Sequence, residues 1–188
     1  MPDPDFPTLQ TPRLVLREIT EADAPALFAI HSDASHMQWY GSDPLKDLDG
    51  AVGLARLFAG WRQLANPGTR WGLERRAAPG LIGTCGLFAW HRNWKKCALG
   101  YELSAEATGH GYMREALETV IPWGLDRMGL NRVEAQVHEC NGASLALLQS
   151  LGFVHEGRLR QVAYWSSQHH DLLQLSLLAS EWRLPQRP

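Results

Sequence analysis

Leu99–Val120 reads LGYELSAEATGHGYMREALETV, and Asn131–Phe153 reads NRVEAQVHECNGASLALLQSLGF. The first stretch opens as an apolar strand, Leu99–Leu103, turns through Thr108-Gly109-His110-Gly111 and enters a helical pattern at once. The second is a strand, Asn131–His138, followed by Asn141-Gly142-Ala143-Ser144, which opens another helix. A strand, a glycine turn and a helix N-terminus bring free backbone N–H groups and a helix dipole together, which suits an anion. Alone, a G-x-G also marks many ordinary strand–helix corners. This one lacks the lysine of a nucleoside-triphosphate loop and the longer glycine spacing of a dinucleotide fold.

Outward from this segment the chain alternates strands and helices. Arg13–Ile19 alternates as a strand, and Thr20-Glu21-Ala22-Asp23 has the form of a capping box opening a helix to Ser32. Ser35–Leu45 has no period and reads as loop. Leu48–Ala65 places Ala51, Leu54, Phe58, Trp61 and Ala65 on one helix face, stopped by Asn66-Pro67-Gly68. Arg70–Arg76 and Leu81–Trp90 read as strands joined at Ala77–Gly80, and Cys97–Leu103 as the next. The helix after the glycine turn runs to Gly129, with Pro122 inside expected to bend it or displace its end. With strand Asn131–His138 it forms a right-handed crossover, so Cys97–Leu103 and Asn131–His138 lie parallel. A short helix, Ser144–Ser150, ends at Gly152, and Gly157–Tyr164 and Asp171–Leu178 form a hairpin around Ser166-Ser167.

The bulk numbers agree with one α/β domain. The 188 residues are 45% hydrophobic and 20% charged, with a net charge of −2. That balance argues against a general nucleic-acid binder and requires any polyanion to be met by a local field. Cys85, Cys97 and Cys140 are too few for a disulfide framework and read as thiols of a reducing compartment. No signal peptide or membrane-length apolar run is evident, so a cytoplasmic protein is expected. Residues 1–10 are expected as a flexible tail, 11–182 as the domain, and 183–188 as a second tail. No metal site is expected: His169-His170-Asp171 sits at a hairpin without further ligands. Cys140 beside His138 does not amount to a nucleophilic pair.

The segment resembles the cofactor-binding half of the GNAT superfamily of N-acetyltransferases, within it the ribosomal-protein-alanine N-acetyltransferase branch. Gly109-His110-Gly111 and Tyr112-Met113-Arg114-Glu115-Ala116 match the family's glycine turn and helix start; Glu106 replaces the usual Gln or Arg. Asn131-Arg132-Val133-Glu134-Ala135, Asn141 with Ser144, Leu151-Gly152-Phe153 and Glu156–Arg160 continue the match, and Thr11–Arg17 matches the first strand. The resemblance implies a single-domain mixed sheet of six to seven strands with flanking helices, its two parallel middle strands splayed. Acetyl-CoA is then the co-substrate. Its pantetheine pairs with Tyr101, Glu102 and Leu103 and meets Asn141, while its pyrophosphate rests on Thr108, Gly109, His110, Gly111, Tyr112 and Met113. His110 and Arg114 are the nearest cations to offset Glu106.

The same resemblance gives Ser144 the thiol sulfur, as acid or thiolate stabiliser; its plainer role is an early-turn helix serine. The carboxylates the family uses as base are missing, their positions being Ala98 and Ala163. Glu102 shares a strand face with Ala98 and is the nearest substitute, unless it is simply a solvated strand-end carboxylate. Glu134, Tyr164 and His138 follow. An α-amine of pKa about 8 needs roughly 1 kcal/mol to be neutral at pH 7, and a lysine about 4.6 kcal/mol. A site without a strong base therefore suits a protein N-terminus or another weakly basic small amine. The aromatic residues of Ser35–Leu45 and His91–Lys96 are candidates for the acceptor pocket. The expected partners are acetyl-CoA and that amine, with no nucleic acid or membrane, in a monomer or homodimer. The alternative is an acyl-CoA-binding module that has lost turnover, and a longer acyl group is also compatible.

Overall fold

The computed structural model describes residues 6–182 and forms one mixed sheet with helices on both faces. The strands are β1 (Leu9–Gln10), β2 (Leu14–Arg17), β3 (Thr69–Arg75), β4 (Ala78–His91), β5 (Lys96–Leu103), β6 (Arg132–His138), β7 (Val154–Trp165) and β8 (Gln168–Leu178). The helices are α1 (Ala24–His31), α2 (Ala34–Met37), α3 (Leu48–Gly60), α4 (Tyr112–Arg127) and α5 (Gly142–Ser150). Spatial order is β1-β2-β3-β4-β5-β6-β8-β7. Every neighbouring pair is antiparallel except β5–β6, which is parallel as the crossover requires.

The mixed α/β architecture is the expected one, with eight strands where six to seven were expected. The addition is β1, inside the segment read as tail. Leu9 pairs with Leu16, Phe6 meets the Trp71 ring edge-on, and the Pro7 carbonyl accepts from Trp71 Nε1 at 2.6 Å. Residues 1–5 and 183–188 lie outside the described residues, and Trp182 packs against the core. Two residues are too short for a period to register.

Other differences are local. The Thr20–Asp23 capping box is present, but it starts a 3-10 turn, Glu21–Asp23, that passes into α1 with Pro25 in its first turn. The expected loop contains α2, opened by Asp33, whose carboxylate accepts from the Ser35 N–H and hydroxyl. α3 ends at Gly60, and Trp61–Gln63 continues as a 3-10 turn. α4 runs unbroken through Pro122, where one missing N–H is outweighed by burial of Leu117, Val120 and Ile121. The hairpin turn has Ser166 and Ser167 at φ of 51° and 61°, the backbone that matches strand twist.

Two apolar layers hold the sheet. Leu14, Trp71, Leu87, Val133 and Leu175 pack under α4 and α5, while Ile19, Leu27, Ile30, Ala51 and Phe58 pack with α1 and α3. Fully burying a leucine, isoleucine, valine or phenylalanine among them contributes about 1.5–3 kcal/mol. Residue 124 is glycine because α4 crosses β4 closely there: a Cβ would collide with Leu87 and stand 3.1 Å from Leu130.

Candidate active site

The parallel pair β5–β6 is joined only at Lys96↔Arg132, Cys97↔Val133 and Ala98↔Glu134. From Leu99 onward β5 continues beside β4, to Leu103↔Gly83, while β6 continues beside β8, to His138↔Leu172. The two strands thus belong to diverging half-sheets, and the splay inferred from the resemblance is present. A cleft of about 920 Å³ occupies the gap. It runs from the start of α4 on one face to an aromatic wall beside α3 on the other.

At the α4 end, Gly109 and Gly111 adopt φ of 78° and 76°, and Gly111 caps the helix with no side chain in the way. A Cβ on Gly109 would meet nothing within 4 Å, so the backbone there lies open. The Glu115 N–H is bonded to the Gly111 carbonyl, and the N–H groups before it begin the helix without intrahelical partners. Thr108, Gly109, Gly111, Tyr112 and Met113 line the cleft. The His110 side chain is exposed and outside that lining.

The N-terminal strand fixes this corner. Glu115 accepts from the Thr11 hydroxyl, from the Arg13 N–H at 2.8 Å and from Arg13 Nε at 2.6 Å. Burial raises the Glu115 pKa, but these donors outweigh it and hold the carboxyl below its ordinary range. Arg13 Nη1 donates to the His110 carbonyl at 3.0 Å, and the guanidinium lies 4.7 Å over the Tyr112 ring. Arg13 Nη2 stands 3.6 Å from where a Gly111 Cβ would be. Arg13 is thus a second cation at the glycine turn, which sequence spacing could not indicate across the 97 residues to His110. Arg114 also lines the cleft, paired with Glu118 at 3.3 Å and donating to the Ser150 carbonyl. Glu106 is exposed in the 3-10 turn Ala105–Ala107 and off the cleft wall.

In mid-cleft, the Ser144 hydroxyl and the Tyr101 hydroxyl are 2.7 Å apart, bridging β5 to α5. Asn141 is the α5 N-cap, its Oδ1 accepting the Ser144 N–H at 3.1 Å. Burial pushes the Tyr101 phenol up to about 12, so it keeps its proton at neutral pH. Tyr101 entered the sequence reading for its backbone; its hydroxyl is the part that was missed.

Glu102 is not a solvated strand-end group. It is buried, paired with Arg70, and accepts from the Thr84 hydroxyl. His31 Nε2 stands 3.4 Å from Oε1 without hydrogen-bond geometry. Arg70 Nε donates to Thr84 Oγ1 at 2.6 Å and Nη2 to the Tyr40 hydroxyl at 3.1 Å. Burial raises the Glu102 pKa, but Arg70, His31 and Thr84 together outweigh it and the carboxyl stays below its ordinary range. A carboxylate so engaged is a weak base, and its arrangement is that of an internal ion pair.

The other base candidates are also occupied. Glu134 accepts from Lys96 Nζ at 3.1 Å and Arg132 Nε at 2.7 Å. His138 stacks on Trp39 at 4.3 Å, and burial together with His170 lowers its pKa. Its Nδ1 accepts the Cys140 N–H at 3.1 Å. Tyr164 is 61% exposed on the β7–β8 hairpin. Burial pushes the Cys85 and Cys97 thiols up to about 12, which leaves them protonated and inert. Of the two aromatic loops, Trp39 and Tyr40 line the cleft, joined by Phe58, Trp61 and Phe88. Trp94 is 68% exposed at the β4–β5 tip and takes no part. Among the described residues, no group of three or more His, Cys, Asp or Glu is arranged to hold a metal.

A parted parallel pair, a glycine-opened helix mouth and a cleft through the sheet define an acyltransferase fold. Residues 13–154 match the acetyltransferase (GNAT) domain family, and the chain belongs to that family. It is 37% identical over 166 residues to YoaA of Bacillus subtilis (strain 168), named an N-acetyltransferase, covering 88% of this chain and 93% of that protein. It is 30% identical over 175 residues to p20 of Bacillus licheniformis, also named an N-acetyltransferase, covering 93% and 98%. Its fold is similar to that of Mycobacterium smegmatis RimJ in complex with CoA-disulfide. The TM-score is 0.82 at 22% identity, covering 97% of this chain and 90% of that one. The chain is an N-acetyltransferase.

Proposed function

We propose that the protein transfers an acetyl group from acetyl-CoA directly to a weakly basic amine, either a protein N-terminal α-amine or a small-molecule amine. The observation that carries this reading is the parting of β5 and β6 beyond Ala98↔Glu134, beside a helix mouth opened by Gly109 and Gly111. The pyrophosphate meets the first N–H groups of α4, beside the cleft-lining Arg114 and the Arg13 guanidinium at the turn, each already paired with a glutamate. The pantetheine takes the unpaired edge of β5 at Tyr101–Leu103 as an added strand would, with Asn141 alongside.

In the reaction, the amine nitrogen bonds to the thioester carbonyl carbon and the carbon–sulfur bond breaks. Beyond the ammonium proton lost before attack, the nitrogen loses a second proton to water as the amide forms, and the sulfur leaves as thiolate and takes one proton up. Ser144, hydrogen-bonded to the protonated Tyr101, donates to the departing sulfur, whose intrinsic pKa is about 8.5. No unpaired carboxylate lines the cleft among the described residues, so the amine sheds its ammonium proton to water before attack. The acidic limb of the kcat/KM–pH profile is therefore expected to move with the pKa of the acceptor. A limb fixed across acceptors of different pKa would reveal an enzyme base and overturn this assignment.

Calorimetry with acetyl-CoA beside thiol release over an amine panel tests the whole reading. Binding with release is expected. Binding without release on any amine would instead define an acyl-CoA-binding module, for which the alanines at 98 and 163 are the supporting observation.

A further inference from the structure

The acceptor half of the cleft has a chemistry of its own, and the following rests on the transferase reading above. Its floor is Ala98 and Gly100 on β5, and its wall is aromatic. Trp61 lies 5.4 Å from Phe58 and 4.9 Å from Phe88, centroid to centroid, and Trp39, backed by His138, also lines the cleft. Both lining carboxylates are neutralised, Glu102 by Arg70 and Glu134 by Lys96 and Arg132. A polycationic amine finds no unpaired negative charge here, and desolvating its ammonium groups against Arg70 is unfavourable. Arg70 Nη1 lies over the floor, 3.4 Å from where a Gly100 Cβ would be, while Nε and Nη2 hold Thr84, Tyr40 and Glu102. That leaves Nη1, beside Gly100 on a guanidinium otherwise buried and 4.4 Å over the Phe58 ring, as the donor for a neutral carbonyl oxygen.

We infer that the acceptor is an α-amino group borne beside a bulky aromatic side chain, with the ring on the Trp39–Trp61–Phe88 wall and the adjoining carbonyl on Arg70 Nη1. The same chemistry is offered by a peptide N-terminus and by a free amino-acid amide. An α-amine also matches a site without a strong base.

The test compares thiol release with phenylalaninamide, glycinamide, spermidine, Nα-acetyl-lysinamide and a pentapeptide beginning with Phe. Phenylalaninamide is expected to exceed glycinamide in kcat/KM on the order of 10–100-fold, the effect of burying one ring. Spermidine and the lysine side chain are expected to be poorer than either. The pentapeptide exceeding phenylalaninamide assigns a peptide source, and the reverse assigns a small molecule. Trp39→Ala and Trp61→Leu are expected to shrink the phenylalaninamide-to-glycinamide ratio, which a partly unfolded preparation leaves unchanged. Titration of intrinsic tryptophan fluorescence with phenylalaninamide is expected to saturate, and glycinamide to leave it flat. Equal use of glycinamide, preference for spermidine, or an unchanged ratio in both variants overturns this inference alone. No release with any amine overturns the transferase reading and this one with it.

Discussion

Ser144 and Tyr101 show how much one hydroxyl pair is asked to do. Replacing Ser144 with Ala removes the donor proposed for the sulfur but leaves the α5 cap at Asn141 and the helix mouth intact. Hydrogen bonds to charged groups contribute about 1.5–3 kcal/mol, so kcat is expected to fall about 10–100-fold. Acetyl-CoA affinity is expected to change little in calorimetry. An unchanged kcat would remove Ser144 from the chemistry. Glu102→Gln belongs to stability instead. It leaves buried Arg70 without its counter-charge, and a loss of about 3–5 kcal/mol is expected in denaturant unfolding. Because the folded pKa of Glu102 is depressed, its stabilisation is complete above the ordinary value of 4.5 and fades as pH falls through the lower folded value. The wild type should therefore lose stability on acidification in a window where Glu102→Gln is flatter. Strand alternation correctly placed Glu102 on the face of Ala98. It could not show that Arg70, Thr84 and His31, from three other elements, were already there.

At the scale of elements, the glycine turn, the crossover and the Asn141–Ser144 helix start were legible because each is a local device with fixed spacing. β1, α2 and the end of α3 were not, since two residues carry no period and Asp33 opens a helix of only one turn. The role of Arg13 was hidden for another reason: its partners His110 and Glu115 reach it only after the sheet is assembled. Gly111→Ala tests the mouth of α4. A non-glycine residue at φ 76° costs about 1–2 kcal/mol, which should lower the melting temperature modestly. If the pyrophosphate binds as proposed, it loses its close approach, so acetyl-CoA affinity should fall far more than stability. Gly124→Ala is the contrasting control. Its methyl collides with Leu87 beneath α4, and a cost of about 1–3 kcal/mol in stability is expected. Calorimetry on the folded Gly124→Ala protein should return wild-type affinity.

For the whole molecule, the sheet is two blocks: β1 to β5 on one side, and β6, β8 and β7 on the other, meeting along three residue pairs and held by α4 and the core. A ligand filling the gap touches both. At a hundredfold excess over its Kd, acetyl-CoA should stabilise the fold by about 2.7 kcal/mol. For a chain of this length that is a rise of about 5–10 °C in melting temperature. A melting curve indifferent to saturating acetyl-CoA would mean that the gap is not where it binds.

An interior strand that sheds its neighbour halfway along leaves peptide groups uncommitted in the middle of a sheet. Such groups ordinarily occur at a rim, where they invite other chains to zip on. Here they sit within the cleft, lined by α5 residues and by an aromatic palisade, rather than along an open rim. The feature proposed to admit the thioester thereby also shields the protein from adhesive pairing with its own kind.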